Sequence, residues 1–178
     1  MMSFKQRLLT MALLTLTLTI GVSTASATDG TVAVTATTVA SVSLVFETDE
    51  VGIALGGNDT GTATIAFGTV QAFGGTLAGG VTRTVNGITD WSLSTPFDVV
   101  VQVANDTDSD NYTLTAALQT ADLVNTWQLG AIGLTTAPVA LTTVGAFGIT
   151  PYTFKLTIPF SEAAGSISNT MNFVATAN

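Results

Sequence analysis

From Thr31 to Phe46 the chain reads TVAVTATTVASVSLVF, and across these sixteen residues the apolar positions Val32, Val34, Ala36, Ala40, Val42, Leu44 and Phe46 fall on one face of an extended backbone. At about 3.3 Å per residue such a strand would span roughly 50 Å, whereas an ordinary strand has about five or six residues. The surplus length needs a partner. The same period of two continues in short runs rich in Val, Ile, Thr and Phe, which predict strands at 31–46, 62–70, 81–85, 88–94, 97–104, 111–118, 126–134, 139–144, 152–158 and 167–176. Turn chemistry separates them: Gly56-Gly57-Asn58-Asp59, Gly74-Gly75, Gly79-Gly80, Ala163-Ala164-Gly165 and Asn86-Gly87. The last is a hairpin signal, because a type I′ turn needs positive φ at both central residues. Residues 119–124 alone read as a short helical turn.

This pattern predicts an all-β fold, an antiparallel sandwich of Greek-key type (immunoglobulin-like or jelly-roll-like) with about eight to ten strands. Alternation also names the core. Phe97, Val99, Val101 and Val103 share a face, as do Tyr112, Leu114, Ala116 and Leu118, and then Phe154, Leu156, Ile158 and Phe160. Trp91 with Leu93, and Trp127 with Leu129, supply bulk between the sheets. These two Trp-x-Leu triplets are shared with the WxL wall-binding domains, but the C-terminal Tyr and Leu-Thr-Trp-Thr-Leu pattern of those domains is missing from NTMNFVATAN.

Residues 1–27 have a different texture. Lys5 and Arg7 precede an apolar run from Leu8 through Val22, and small residues end in Ala25-Ser26-Ala27, the pattern of a secretory leader cut after an A-x-A site. A membrane anchor is the alternative, though a run near fifteen residues is short for the roughly twenty that span a bilayer. The expected organisation is therefore a leader at 1–27 and one domain at 28–178, of which 28–37 is available as an arm. Without the leader, Arg83 and Lys155 face all twelve acids, a net charge of −10 on 151 residues. Nucleic acid and anionic membranes are unsuitable partners for such a chain. With no Cys and no His, it has no disulfide framework, no Ser-His-Asp or Cys-His site, and none of the usual zinc, copper or haem ligand sets. No cofactor and no enzymatic activity are expected.

One stretch carries candidate ligand chemistry. In NDTDSDNYT, Asp106, Asp108 and Asp110 alternate as hard-oxygen ligands do in calcium loops, yet Asn111 and Ala117 stand where an EF-hand loop from Asp106 would have Gly and Glu. It reads either as a solvated acidic hairpin tip or as a weak calcium site. Asn58, Asn105 and Asn111 each begin a glycosylation sequon, which matters only in a source that glycosylates. Asp90, Asp98 and Glu162 are the carboxylates from which a glycosidase pair could be drawn, with surface and turn positions as the plainer account.

The long N-terminal strand, ATIAFGTV, NYTLTAAL and the final FKLTIPFSEAAGSISNTMNFVATA, in that order, resemble the secreted β-sandwich subunits of bacterial and archaeal fibres. The chain is similar to the spore coat protein U-like pilins and, more distantly, to the camelysin-like biofilm fibre proteins, and it departs from the former in lacking cysteine. The resemblance implies a secreted structural subunit of a pilus, fimbrium, biofilm fibre or surface layer. Such a subunit polymerises with copies of itself by giving an N-terminal strand, here through Val32, Val34 and Ala36, to the next subunit, with a surface anchor or export chaperone as a further partner. Length alone motivates the same idea, since strand addition to a neighbour's open edge would employ the surplus at residues 28–37. The alternatives are a long strand bent near Thr37-Thr38 that serves both sheets of its own sandwich, and, for function, a secreted monomeric module that binds carbohydrate or a wall polymer.

Overall fold

A computed structural model describes residues 18–23, 31–39, 42–103, 109–163 and 165–178. Among these residues there is no helix, and the strands form two sheets packed face to face as a β-sandwich. In chain order the strands are β1 (Leu18–Ser23), β2 (Thr31–Val39), β3 (Val42–Glu47), β4 (Thr62–Ala66), β5 (Thr69–Gln71), β6 (Thr82–Asn86), β7 (Asp90–Val103), β8 (Tyr112–Leu118), β9 (Thr126–Leu129), β10 (Ile132–Gly133), β11 (Val139–Gly145), β12 (Gly148–Pro159) and β13 (Gly165–Ala177). One sheet runs β11-β8-β13-β1-β2-β4, with β5 beside β1 and a direct β13–β2 ladder; the other runs β10-β9-β12-β7-β3, with β6 beside β7.

The core lies between the sheets, where the alternating positions place it. Leu114, Ala116, Phe97, Val99, Val101, Leu156 and Ile158 are all buried, and Trp127 packs against Phe154 at 5.8 Å between ring centroids. Phe46, Phe97 and Phe173 meet edge-on or tilted at 5.3 to 6.4 Å and tie the sheets together. Val103 departs from the expected core: at the end of β7 it is 48% exposed. Phe160 is only partly buried, and its ring stacks on the exposed Phe73 at 5.6 Å.

Three local expectations are corrected. The strands expected at 88–94 and 97–104 are one strand, β7, continuous through Pro96. Pro96 is tolerated because β6 pairs with Asp90–Ser94 and β3 with Asp98–Val103, which leaves the strand edge at 95–97 without a ladder to interrupt. Asn86-Gly87 does not form a two-residue turn. Asn86 pairs with Asp90 across Gly87-Ile88-Thr89; Gly87 has φ +60° while Asn86 stays in the strand, its amide donating to Asp90 Oδ1 at 2.6 Å. Residues 119–124 form bends rather than a helical turn, because the Asp122 carboxylate takes the backbone N–H groups of Val124 and Asn125 at 3.0 and 2.9 Å.

Candidate functional site

The opening sixteen-residue alternation is divided between the two sheets. β2 lies in one and β3 in the other, with only residues 40 and 41 between them. β3 pairs antiparallel with β7, whereas β2 runs parallel to β13 over seven residue pairs, from Ala33↔Thr170 to Val39↔Thr176. Ala33, Val34 and Ala36 are buried, Val34 to 1% exposure. Within a single chain, then, Val34 and Ala36 cover the home core; for Val32 the structure gives the backbone pairing, with Ile65 on β4 and Leu18 on β1. A parallel pair cannot be closed by a tight turn, so the β2–β13 ladder owes nothing to local chain connection.

Beside this ladder lies a second N-terminal strand. β1 pairs antiparallel with the first part of β13, Leu18↔Asn169 through Val22↔Gly165, and parallel with β5, Gly21↔Thr69 through Ser23↔Gln71. It thus occupies a slot walled by β13 on one side and by β2 and β5 on the other. Both walls have supports of their own. The Asn169 amide accepts from the Thr120 N–H at 3.2 Å and donates to the Thr120 carbonyl at 2.8 Å. On the other wall, the Arg83 guanidinium donates to the carbonyls of Gln71, at 2.9 Å, and Gly74.

The other candidate residues are scattered. Asp106, Asp108 and Asn105 lie outside the described residues, and Asp110 is exposed. Among the described residues no group of three or more His, Cys, Asp or Glu is placed to hold a metal. Asn58 Oδ1 accepts the Thr48 N–H, and Asn111 is tied to the last residue, its Oδ1 accepting from Asn178 Nδ2 at 2.6 Å. Asp90 and Asp98 stand eight positions apart on the one strand β7, about 26 Å at the strand rise, far beyond the separation of a glycosidase pair. The Asp90 carboxyl is held below the ordinary range by the Asn86 amide and then the Thr89 hydroxyl. Asp98 instead joins a set of acids at the end of β3: burial and then Asp49 push its carboxyl up, while burial, Asp59 and Asp98 push up that of Glu47.

Sequence reasoning passed over Asp122. Its carboxylate takes both backbone N–H groups of the bend, the Asn125 amide at 3.0 Å and the buried Trp127 indole N–H at 2.7 Å. Burial works against the ionised form, but these four donors outweigh it and hold the carboxyl below its ordinary value. Asp122 lines a polar cavity of about 220 Å³ with Thr120, Asn125, Glu162 and residues 166–169. Asn125 Oδ1 is buried in that region without a hydrogen-bond partner. The spacing Asp-x-x-Asn-x-Trp is the signal that could have found this buckle, since a carboxylate ahead of a buried indole has one obvious donor to receive.

Among the described residues no helix is long and apolar enough to cross a membrane. Comparison with family models, curated proteins and solved structures finds no match for this chain.

Proposed function

We propose that this chain is a structural, non-enzymatic subunit of an extracellular filament, such as a pilus or biofilm fibre, or of a surface layer. It is exported by the leader at residues 1–27 and assembles by adding its N-terminal strand to a neighbouring copy. The placement of β2 is the observation that supports this most. Only residues 40 and 41 separate β2 from β3 in the opposite sheet, and its longest ladder is a non-local one with β13. A second copy can offer that strand the same partners, so exchange keeps the contacts and costs chiefly the entropy of association. Extending the two-residue connection would restore the continuous alternation from Thr31 to Phe46 as a bridge between copies. Head-to-tail addition of this kind does not close, and it gives a filament. A surface anchor or an export chaperone is the further partner such a subunit needs.

The polar cavity beside Asp122, with the unpartnered Asn125 Oδ1, favours the second reading, a monomeric module that binds a carbohydrate or wall polymer. Electron microscopy and sedimentation of purified protein beginning at Thr28 separate the two. The filament reading expects ordered assemblies, and it expects protein beginning at Thr38, without residues 28–37, to form none. Monomers of the longer protein at all concentrations, or identical filaments from the shorter one, would overturn it.

A further inference from the structure

The cavity beside Asp122 offers acceptors and few donors. Its lining joins the bend at 120–125 to Glu162 and the start of β13, and most of the N–H groups there are already spent on protein acceptors. Asp122 Oδ1 takes the backbone N–H groups of Val124 and Asn125, and Oδ2 takes the Asn125 amide and the Trp127 indole. Asn169 Oδ1 takes those of Thr120 and Thr170, while its nitrogen donates to the Thr120 carbonyl. Because a carboxylate only accepts, the Asn125 amide must turn its nitrogen to Asp122, and this fixes Oδ1 as the atom left without a partner. Asn125 is 9% exposed, so this acceptor is cut off from bulk water, where an unpaired group is costly. Glu162 adds a second carboxylate to the cavity, and none of the lining residues is Lys or Arg.

Three kinds of ligand group can be weighed against this lining. A calcium ion wants about six to eight oxygen ligands, but each Asp122 oxygen already accepts two hydrogen bonds, which leaves Glu162 as the one carboxylate to hold it. A neutral hydroxyl brings one donor and two lone pairs, and its lone pairs gain nothing from carboxylates. A primary ammonium brings three donors, no acceptor and the complementary charge. Burial opposes the ionised form of Asp122, but its four donors hold the carboxyl below the ordinary range, so its charge is present at neutral pH. The hydroxyls of Thr120, Ser166 and Ser168 in the same lining can donate as well as accept, which suits the ring hydroxyls of a sugar. At about 220 Å³ the cavity exceeds what one water needs and falls short of the roughly 300–1,000 Å³ of a drug-sized pocket, a size for one small polar unit.

We infer that this cavity is a binding site for the primary ammonium group of an amino sugar, with Asn125 Oδ1 and the Glu162 carboxylate as its acceptors and Asp122 as a second negative charge. The inference rests on the carbohydrate-binding reading and adds to it where the sugar sits and which substituent is recognised. The test titrates the purified protein at neutral pH with glucosamine, glucose, N-acetylglucosamine, methylammonium and calcium, and follows the Trp127 indole and Asn125 side-chain amide signals by NMR. Glucosamine is expected to shift both signals and to bind at least about tenfold more tightly than glucose or N-acetylglucosamine. Glu162→Gln, on a half-buried loop residue, should leave the melting temperature unchanged and remove most of that preference. Equal binding of glucosamine and glucose at these signals would overturn the ammonium site while leaving the carbohydrate reading intact. Shifts with calcium alone would overturn it in favour of a metal, and methylammonium binding as tightly as glucosamine would remove the sugar from the proposal. If no sugar binds the protein anywhere, the carbohydrate reading fails and the site fails with it.

Discussion

Replacing Asp122 by Ala tests whether one carboxylate fixes the bend that leads into β9. Four donors converge on it, and they differ in what happens when it goes. Val124 is exposed, so water can replace the acceptor of its N–H, whereas Asn125 is buried. The Trp127 indole is 1% exposed, so its N–H is left buried without a partner. An orphaned buried donor costs about 1–3 kcal/mol and a lost charge-assisted bond about as much, the two overlapping, so Asp122→Ala should lower stability by about 2–4 kcal/mol. For a domain of this size that corresponds to a fall in melting temperature of roughly 5–15 °C. Asp122→Asn keeps one acceptor oxygen and should lose about half as much. Because the folded carboxyl is held below its ordinary value, the native state binds fewer protons than the unfolded chain. The stabilisation is then complete above the unfolded value near 4 and is lost as pH falls through the depressed folded value. Urea denaturation followed by tryptophan fluorescence at pH 7 and at pH 2.5 to 3 reads both effects, with the gap between unaltered protein and Asp122→Ala closing at the lower pH. A loss under about 0.5 kcal/mol at pH 7, or a gap equal at both pH values, would refute the assignment.

Other substitutions probe the rest of the molecule. Val34→Asp puts a carboxylate where the isolated subunit has 1% exposure, and should cost several kcal/mol in its own stability; an unchanged melting temperature of the monomer would place Val34 outside its home core. Changing Asp106, Asp108 and Asp110 together to Asn should abolish any calcium-dependent rise in melting temperature, and identical melting of the unaltered protein in calcium and in chelator would dismiss the site. Gly80→Ala forces a side chain onto a residue at φ +77° whose added Cβ would lie 2.3 Å from backbone atoms of Val51 and Gly52, and calorimetry should show a loss of at least about 2 kcal/mol. Melting within a degree of the unaltered protein would show that this turn is not rigidly packed.

The period of two determined which side chains face inward, and therefore the β-sandwich itself. Leu114 and Ala116, or Leu156 and Ile158, can share a face only in extended chain, and a chain without cysteine has only that buried face to hold it together. Local sequence carried less where a residue's role depends on a distant partner. Pro96 marks a break when read alone, but it lies within β7 because β6 and β3 leave that short edge unpaired. Residues 119–124 read as a short helical turn, yet the Asp122 carboxylate takes the nearby N–H groups of Val124 and Asn125 together with the indole of the buried Trp127. Val103 keeps its alternation, yet at the end of β7 it is 48% exposed. The same holds at the N-terminus. The alternation from Thr31 to Phe46 fixed a face but no partner, since a strand's ladder groups are alike whichever strand they meet. Only the tertiary structure divided that stretch between two sheets, laid β2 parallel to β13, and put Leu18–Ser23 into the slot beside it.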